Sequence, residues 1–365
     1  MPSALPFRRR LLLALIVGCA IVPAVRAGFD EGLAAYMEGD FKKAFHEMLT
    51  AAQDGDMAAA NNIGVLLSTG RGTAQNSAEA ASWWRKAAEK GDDEAAFNLG
   101  LAYLNGRGVA TDEALAATWF RKAADRGNPS AQYNLGVLAH SGRGLPLDLA
   151  EAASWYRKAA DQGDILAEKS LADMLGSGEG IPEDDVEAAR YYRLAAEQND
   201  PESQRILGAM YGNGIGVAKD SAEAAAWYRR AADQGDGQAA FNLGQMYATG
   251  EAVAMDNQRA YVWLSIAARR LDATEARSTA IRRRDDIAQA LTAADRDVAE
   301  RQVDQWRPQL AESPVEVGQA SWSGQKSATN ASAEAPSPRE ENCHGALRDS
   351  LGQPGQWAGA KTACR

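Results

Sequence analysis

The feature that most constrains this chain is a period of 36 residues. Six blocks begin at Gly55, Gly91, Gly127, Gly163, Asn199 and Gly235 and follow one another without a gap. Position nine of the block is always aliphatic: Ile63, Leu99, Leu135, Leu171, Leu207 and Leu243. Position ten is always Gly or Ala: Gly64, Gly100, Gly136, Ala172, Gly208 and Gly244. Position 29 holds Trp83, Trp119, Trp155, Tyr191, Trp227 and Trp263, and positions 33 and 34 are alanine in every block. Such a register is the signature of a repeat architecture, in which one unit cannot bury its apolar face alone and neighbours stack to share a core.

Within a block the pattern predicts two helices. The first carries Ala or Ser at position five, the aliphatic at nine and mostly Leu or Met at twelve, an i, i+4, i+7 stripe. The small residue at ten removes bulk where a neighbouring helix approaches. A Gly-x-Gly turn follows, as in Gly70 and Gly72, Gly106 and Gly108, or Gly142 and Gly144, and supplies the positive φ that ends a helix. The second helix opens at position 22 on Asn76, Asp112, Asp148, Asp184, Asp220 and Asp256, all good N-caps. Glu79, Glu151, Glu187 and Glu223 stand three residues on, the spacing of a capping box. Basic pairs such as Arg85-Lys86, Arg157-Lys158 and Arg229-Arg230 fall in the last turn, where cations suit the helix dipole; they read as helix termination and solubility.

These residues resemble the Sel1-like repeat, the 36-residue relative of the tetratricopeptide repeat. The match stands as Ala95-Ala96-Phe97-Asn98-Leu99-Gly100, Tyr103, Gly106-Arg107-Gly108-Val109, Ala116 to Trp119 and Arg121-Lys122-Ala123-Ala124, and recurs over 55–270. The resemblance implies an all-α fold, a right-handed α-solenoid of stacked helix-turn-helix repeats. Residues 28–54 look like one shorter tetratricopeptide-type repeat, with Gly32, Gly39-Asp40-Phe41, Ala44 and Ala51 at the usual offsets. From 271 to 307 the period stops while helical patterning continues, and Leu291-Thr292-Ala293-Ala294-Asp295 marks a capped helix. A polar helical pair there suits the exposed end of a stack.

The two ends read differently. Arg8, Arg9 and Arg10 precede an apolar run from Leu11 to Val22, then Pro23 and Ala24-Val25-Arg26-Ala27, the pattern of a secretory signal peptide over 1–27. The run is short of the ~20 residues that span a bilayer. Cleavage after Ala27 removes four arginines and no acid, taking the formal charge from −10 to −14. The alternative is a lipid anchor at Cys19 of Ile16-Val17-Gly18-Cys19, although the segment beyond stays apolar through Val25. Residues 308–365 form a tail rich in Ser, Ala, Gln, Glu and Pro with no periodicity. It holds Cys343 and Cys364, the two cysteines left after such cleavage. In an oxidising compartment they suit one disulfide around Trp357.

Chemistry finds little material. Three histidines and three cysteines are scattered, no helix carries a zinc-binding spacing, and neither a metal nor a cofactor is expected. Strings such as Gly212-Asn213-Gly214-Ile215-Gly216 follow no strand and lack the lysine of a phosphate loop. The serines lack a nucleophile elbow. An excess of 49 acids over 39 bases argues against nucleic acid. No enzyme is expected.

Function then falls to surfaces. On the first helix, positions 4, 7, 11 and 14 vary freely and share one face, expected to look outward into the groove that first helices line in tetratricopeptide-like stacks. Position seven reads Asn61, Phe97, Tyr133, Lys169, Arg205 and Phe241. Phe97, Tyr133, Lys169, Arg205 and Phe241 are therefore candidate partner contacts, since aromatics and arginine are common interface anchors; packing against the next repeat is the other reading. Asn98, Asn134 and Asn242 at position eight either bind a partner's backbone or tie repeats together. The aromatic ladder at position 29 is expected in the core. Block four, with Lys169, Ser170 and Asp173, is either a register break or a charged centre of a binding surface. The resemblance implies an exported scaffold that binds a protein or peptide, an envelope component among them, without chemistry of its own. A regulator or inhibitor of an envelope enzyme is the alternative. A penicillin-recognising hydrolase is the distant one, disfavoured because the repeats lack cysteine pairs.

Overall fold

The computed structural model describes residues 28–251, 253–272 and 275–309. The leader 1–27, with Cys19, and the tail with Cys343 and Cys364 lie outside the described residues. Among the described residues there are sixteen helices and no strand. The helices fall in two compact units that part between Leu147 and Asp148.

The first unit holds α1 (28–37), α2 (Phe41–Gln53), α3 (Met57–Thr69), α4 (Ser77–Glu89), α5 (Asp93–Asn105), α6 (Glu113–Ala124) and α7 (Pro129–Ser141). The second holds α8 (Leu149–Ala160), α9 (Ile165–Ser177), α10 (Asp185–Glu197), α11 (Pro201–Asn213), α12 (Ser221–Asp233) and α13 (Gly237–Thr249). It continues through α14 (Asn257–Arg270), α15 (Glu275–Gln289) and α16 (Ala293–Gln305). Within each unit consecutive helices pack on one another, the pattern of a solenoid of helix pairs.

The capping expected at position 22 is present throughout. The side chains of Asn76, Asp112, Asp148, Asp184, Asp220 and Asp256 each accept a backbone N–H of the first helical turn. Position two caps the first helix in the same way, through Asp56, Asp92, Asn128, Asp164, Asp200 and Asp236. Each such cap is worth about 1 kcal/mol, so the twelve helices of the six blocks start at positions fixed by local chemistry.

The glycines of the turn have separate causes. Gly106 ends α5 in the left-handed region, at φ 65°, and its N–H bonds back to the Ala102 carbonyl. Gly108 also has a positive φ of 75°, and a Cβ there would lie 2.1 Å from the Ser77 carbonyl oxygen. Ser77 opens the second helix of the preceding block, so the turn of one repeat rests on the backbone of the one before. The same contact recurs at Gly72 on Phe41, Gly144 on Glu113, and Gly216 on Asp185.

The segment after the last block forms a helical pair packed against α14. Thr292 caps α16 by accepting the Asp295 N–H, and Ala280, Ala299 and Val303 are the buried contacts of this pair. No helix among the described residues is long and apolar enough to cross a membrane.

Candidate functional site

The first helices carry the candidate residues, and their neighbours decide what each can do. Position seven was expected to face outward, but Phe97 is only 5% exposed and Phe241 6%. The Phe97 ring lies 5.8 Å from that of Phe120 on α6. The reason is that a first helix is enclosed on several sides: α3 buries Ala59, Ala60, Asn61, Asn62, Ile63 and Gly64 in succession. Tyr133 is half-buried. The cations at this position are engaged by the next repeat. Lys169 pairs with Asp200 at 3.3 Å and with Glu202 at 2.5 Å, and Arg205 pairs with Asp236 at 3.2 Å. Asp200 and Asp236 are the N-caps of α11 and α13, so each cation anchors the start of the following first helix.

The position-eight amides have local partners too. Asn98 donates to Asn61 Oδ1 of the preceding repeat at 3.0 Å. Asn134 donates to the Ser130 carbonyl of its own helix, and Asn242 accepts from Gln238. In block four, buried Glu168 accepts two hydrogen bonds from Gln198, and Tyr192 donates to Asp173. The polar middle is thus an internally paired network.

The basic pairs do more than end helices. The arginine at position 31, which in block four is followed by Leu194 rather than a second base, reaches the next repeat: Arg85 donates to the Tyr103 hydroxyl, Arg193 to Tyr211 and Arg229 to Tyr247, at 2.6–2.8 Å. The second covers an aromatic of its own repeat, with Lys122 Nζ 3.7 Å from the Trp119 ring centre and Lys158 equally close to Trp155. Arg230 lies over Trp227 in the same way. Trp119, Trp155, Tyr191, Trp227 and Trp263 are buried and Trp83 half-buried, at the rim of the core under these cations.

One acidic edge has no cation at position seven of the repeat before it. At the start of α5, burial together with Asp93 and Asp92 pushes the Glu94 carboxyl up to about 7, against a hydrogen bond from Asn128. Burial likewise raises Asp92. Asn61 stands at position seven of the repeat before, where Lys169 stands in the later one. Among the described residues no group of three or more histidine, cysteine or carboxylate side chains has the placement of a metal site.

The Sel1 repeat family matches this chain six times in succession, at residues 58–92, 93–128, 129–164, 165–200, 201–236 and 237–270. The chain belongs to the Sel1 repeat family. A crystal structure of a Sel1 repeat protein from Oxalobacter formigenes is similar at 31% identity, covering 68% of this chain and 98% of that one, with a TM-score of 0.56. The structure of c5321, a protective antigen of uropathogenic Escherichia coli, is 28% identical over 77% of this chain and 68% of that one, with a TM-score of 0.49. No curated protein sequence matches the chain. Sel1 repeat proteins are generally protein-interaction scaffolds built on a non-catalytic fold.

As a Sel1 repeat, the chain shows one structural row that sequence reasoning missed. The side chain beneath the position-ten glycine is at position 30. A Cβ on Gly100 would meet the Phe120 ring at 2.6 Å, and one on Gly64 the Trp84 indole at 2.3 Å. Gly208 and Gly244 face Tyr228 and Leu264 likewise. Large residues at position 30 in all six blocks, beside the more uniform row at 29, were the available signal.

Proposed function

We propose that this Sel1 repeat protein is an exported scaffold of the bacterial cell envelope, with a partner protein seated on the first helices of the first unit. The observation that carries the reading is the distribution of engaged side chains. Positions that recur in every repeat are consumed by packing and by ties to the next repeat, so recognition falls to repeat-variable residues that remain half-exposed. On α5 and α7 these are Leu101, Tyr133 and Val137, with Asn98 and Asn134 beside them already bonded within the stack. A half-buried tyrosine flanked by aliphatic and amide side chains is the mixture that interface centres use. Phe97 and Phe241 support this face from beneath, and Lys169 and Arg205 hold repeats in register.

Export rests on the basic and apolar leader before Gly28, and the envelope setting rests on that export. The test is affinity purification of the chain from envelope extracts, paired with a Leu101→Ser/Tyr133→Ser variant. Several structural components should co-purify with the native chain and be lost from the variant. Equal capture by both moves the surface elsewhere, and a single stoichiometric enzyme converts the scaffold into a regulator. N-terminal sequencing should start at Gly28; a lipid-modified Cys19 at the start replaces cleavage by anchoring, and an unprocessed Met1 in the cytosolic fraction refutes export.

A further inference from the structure

The fifth block shows, within this chain, what the start of a first helix binds when it carries two carboxylates. Asp200 at position two and Glu202 at position four hold the Lys169 ammonium between them, at 3.3 and 2.5 Å. Position seven of the preceding repeat supplies that cation. The sixth block does the same at Asp236, which takes Arg205 at 3.2 Å. Asp92 and Glu94 stand at the same two positions of the second block, but position seven before them is Asn61. Asn61 brings no charge, and its amide oxygen accepts from Asn98.

The groups around Glu94 leave its charge uncancelled. Buried Asn128 donates to Glu94 at 3.2 Å and to Asp93 at 3.4 Å. Asp56 of the preceding repeat and Arg126, just beyond α6, act on Asp92. The charges that act on Glu94 are those of Asp93 and Asp92, which add to burial in pushing its carboxyl up to about 7. A cation brought to such a half-buried carboxyl gains more than one brought to a solvated acid.

This carboxyl borders the surface on α5 and α7. Glu94, Asn98 and Leu101 stand at i, i+4 and i+7 and share one face of α5. Glu94 and Leu101 are therefore about 10 Å apart along the helix axis. Asn128, which bonds Glu94, also caps α7, the helix that carries Tyr133 and Val137. The half-exposed apolar side chains thus end in a carboxylate corner whose counterpart in the fifth block already holds an ammonium.

We propose, on the reading of α5 and α7 as the partner surface, that its occupant is a protein segment bearing a lysine or arginine beside a large apolar residue. The cation docks on Glu94 as Lys169 docks on Glu202, and the apolar side chain lies on Leu101, Tyr133 and Val137. An acidic segment meets Glu94 and Asp93 with like charge and is rejected.

The test is selection of random dodecapeptides displayed on phage by the full processed chain, then calorimetric titration with the strongest peptide. The native chain should enrich sequences with Lys or Arg about three residues from Leu, Ile, Phe or Met, the extended span of that distance. Replacing the basic residue of the peptide by Gln should weaken binding about tenfold to the native chain and hardly at all to Glu94→Gln. Glu94→Gln keeps an acceptor for Asn128 and removes only the charge. Glu89→Gln, at an exposed acid of α4, changes the net charge equally and should bind as the native chain does. Asn61→Lys supplies the cation from within and should abolish the basic preference while apolar sequences are still selected. Selection of apolar sequences without basic enrichment, or equal affinities for Glu94→Gln and Glu89→Gln, overturns the proposal and leaves the surface standing. Enrichment of no sequence by the native chain overturns it as well. A Leu101→Ser/Tyr133→Ser variant that selects the same sequences as the native chain removes the surface itself.

Discussion

The second and fifth blocks begin with nearly the same acids and treat them in opposite ways. Asp92 and Glu94 open α5 in the first unit; Asp200 and Glu202 open α11 in the second. In the later block Lys169 sits between both carboxylates, and it is itself little exposed. In the earlier block the corresponding residue is Asn61, whose amide oxygen is taken by Asn98 and whose carbonyl is taken by the Trp84 indole. The acids there crowd one another, with Arg126 acting on Asp92 and Asn128 donating to Glu94, and the Glu94 carboxyl is still pushed up to about 7. One fold therefore carries two solutions at one position: ionic ties at Lys169 and Arg205, and aromatic or amide packing at Asn61, Phe97 and Phe241.

The comparison predicts effects of different size and kind. Phe97→Ala should be the largest, destabilising the first unit by ~3–4 kcal/mol through a lost buried ring, read by chemical denaturation; a loss below about 1 kcal/mol would place Phe97 outside the packing. Arg205→Met should cost ~2 kcal/mol, because Asp236 then keeps partly buried charge without this counter-ion, while Glu202 retains Lys169. Its loss should shrink in high salt only slightly, since the pair is mostly shielded from solvent.

Glu94 gives the pH arm. Its folded pKa is raised above the ordinary carboxyl value, so its stabilising contribution is complete below about pH 4.5 and is lost as the pH rises through about 7. With allowance for solvent screening, the native chain should lose ~1–2 kcal/mol across that window, and Glu94→Gln should flatten the curve. A native profile that is already flat removes the contrast between the units. Lys169→Asn should be the smallest change, ~1 kcal/mol, and should make the fifth block behave like the second. A double-mutant cycle with Glu202→Gln should return a favourable coupling energy, and zero coupling shows that Lys169 does not tie Glu202.

Much of this was legible in the sequence because the determinants are local. An Asp at position 22 caps a helix whatever surrounds it, and the Gly-x-Gly turn announces a positive φ. The 36-residue register then names the fold. What was not legible depends on neighbours. Variation at position seven looked like solvent exposure, but Asn61, Lys169 and Arg205 vary because each meets a different partner in the adjoining repeat. The pairing of position ten with position 30 was hidden for a related reason. Trp119 stands out in the sequence, whereas Phe120, one residue on and fully buried, is the ring that touches Gly100. A single helical stripe cannot say which of two adjacent large residues points at a neighbour's backbone.

The contact of Gly108 with Ser77 also sets a direction in time. The turn of a repeat lands on a helix that lies earlier in the chain, and Gly72, Gly144 and Gly216 do the same. As the chain emerges N-terminus first, the landing place is out before the turn that needs it. Each newly made repeat can dock at once on finished structure, and an alanine at such a glycine would interrupt growth from that repeat onward while leaving everything before it standing.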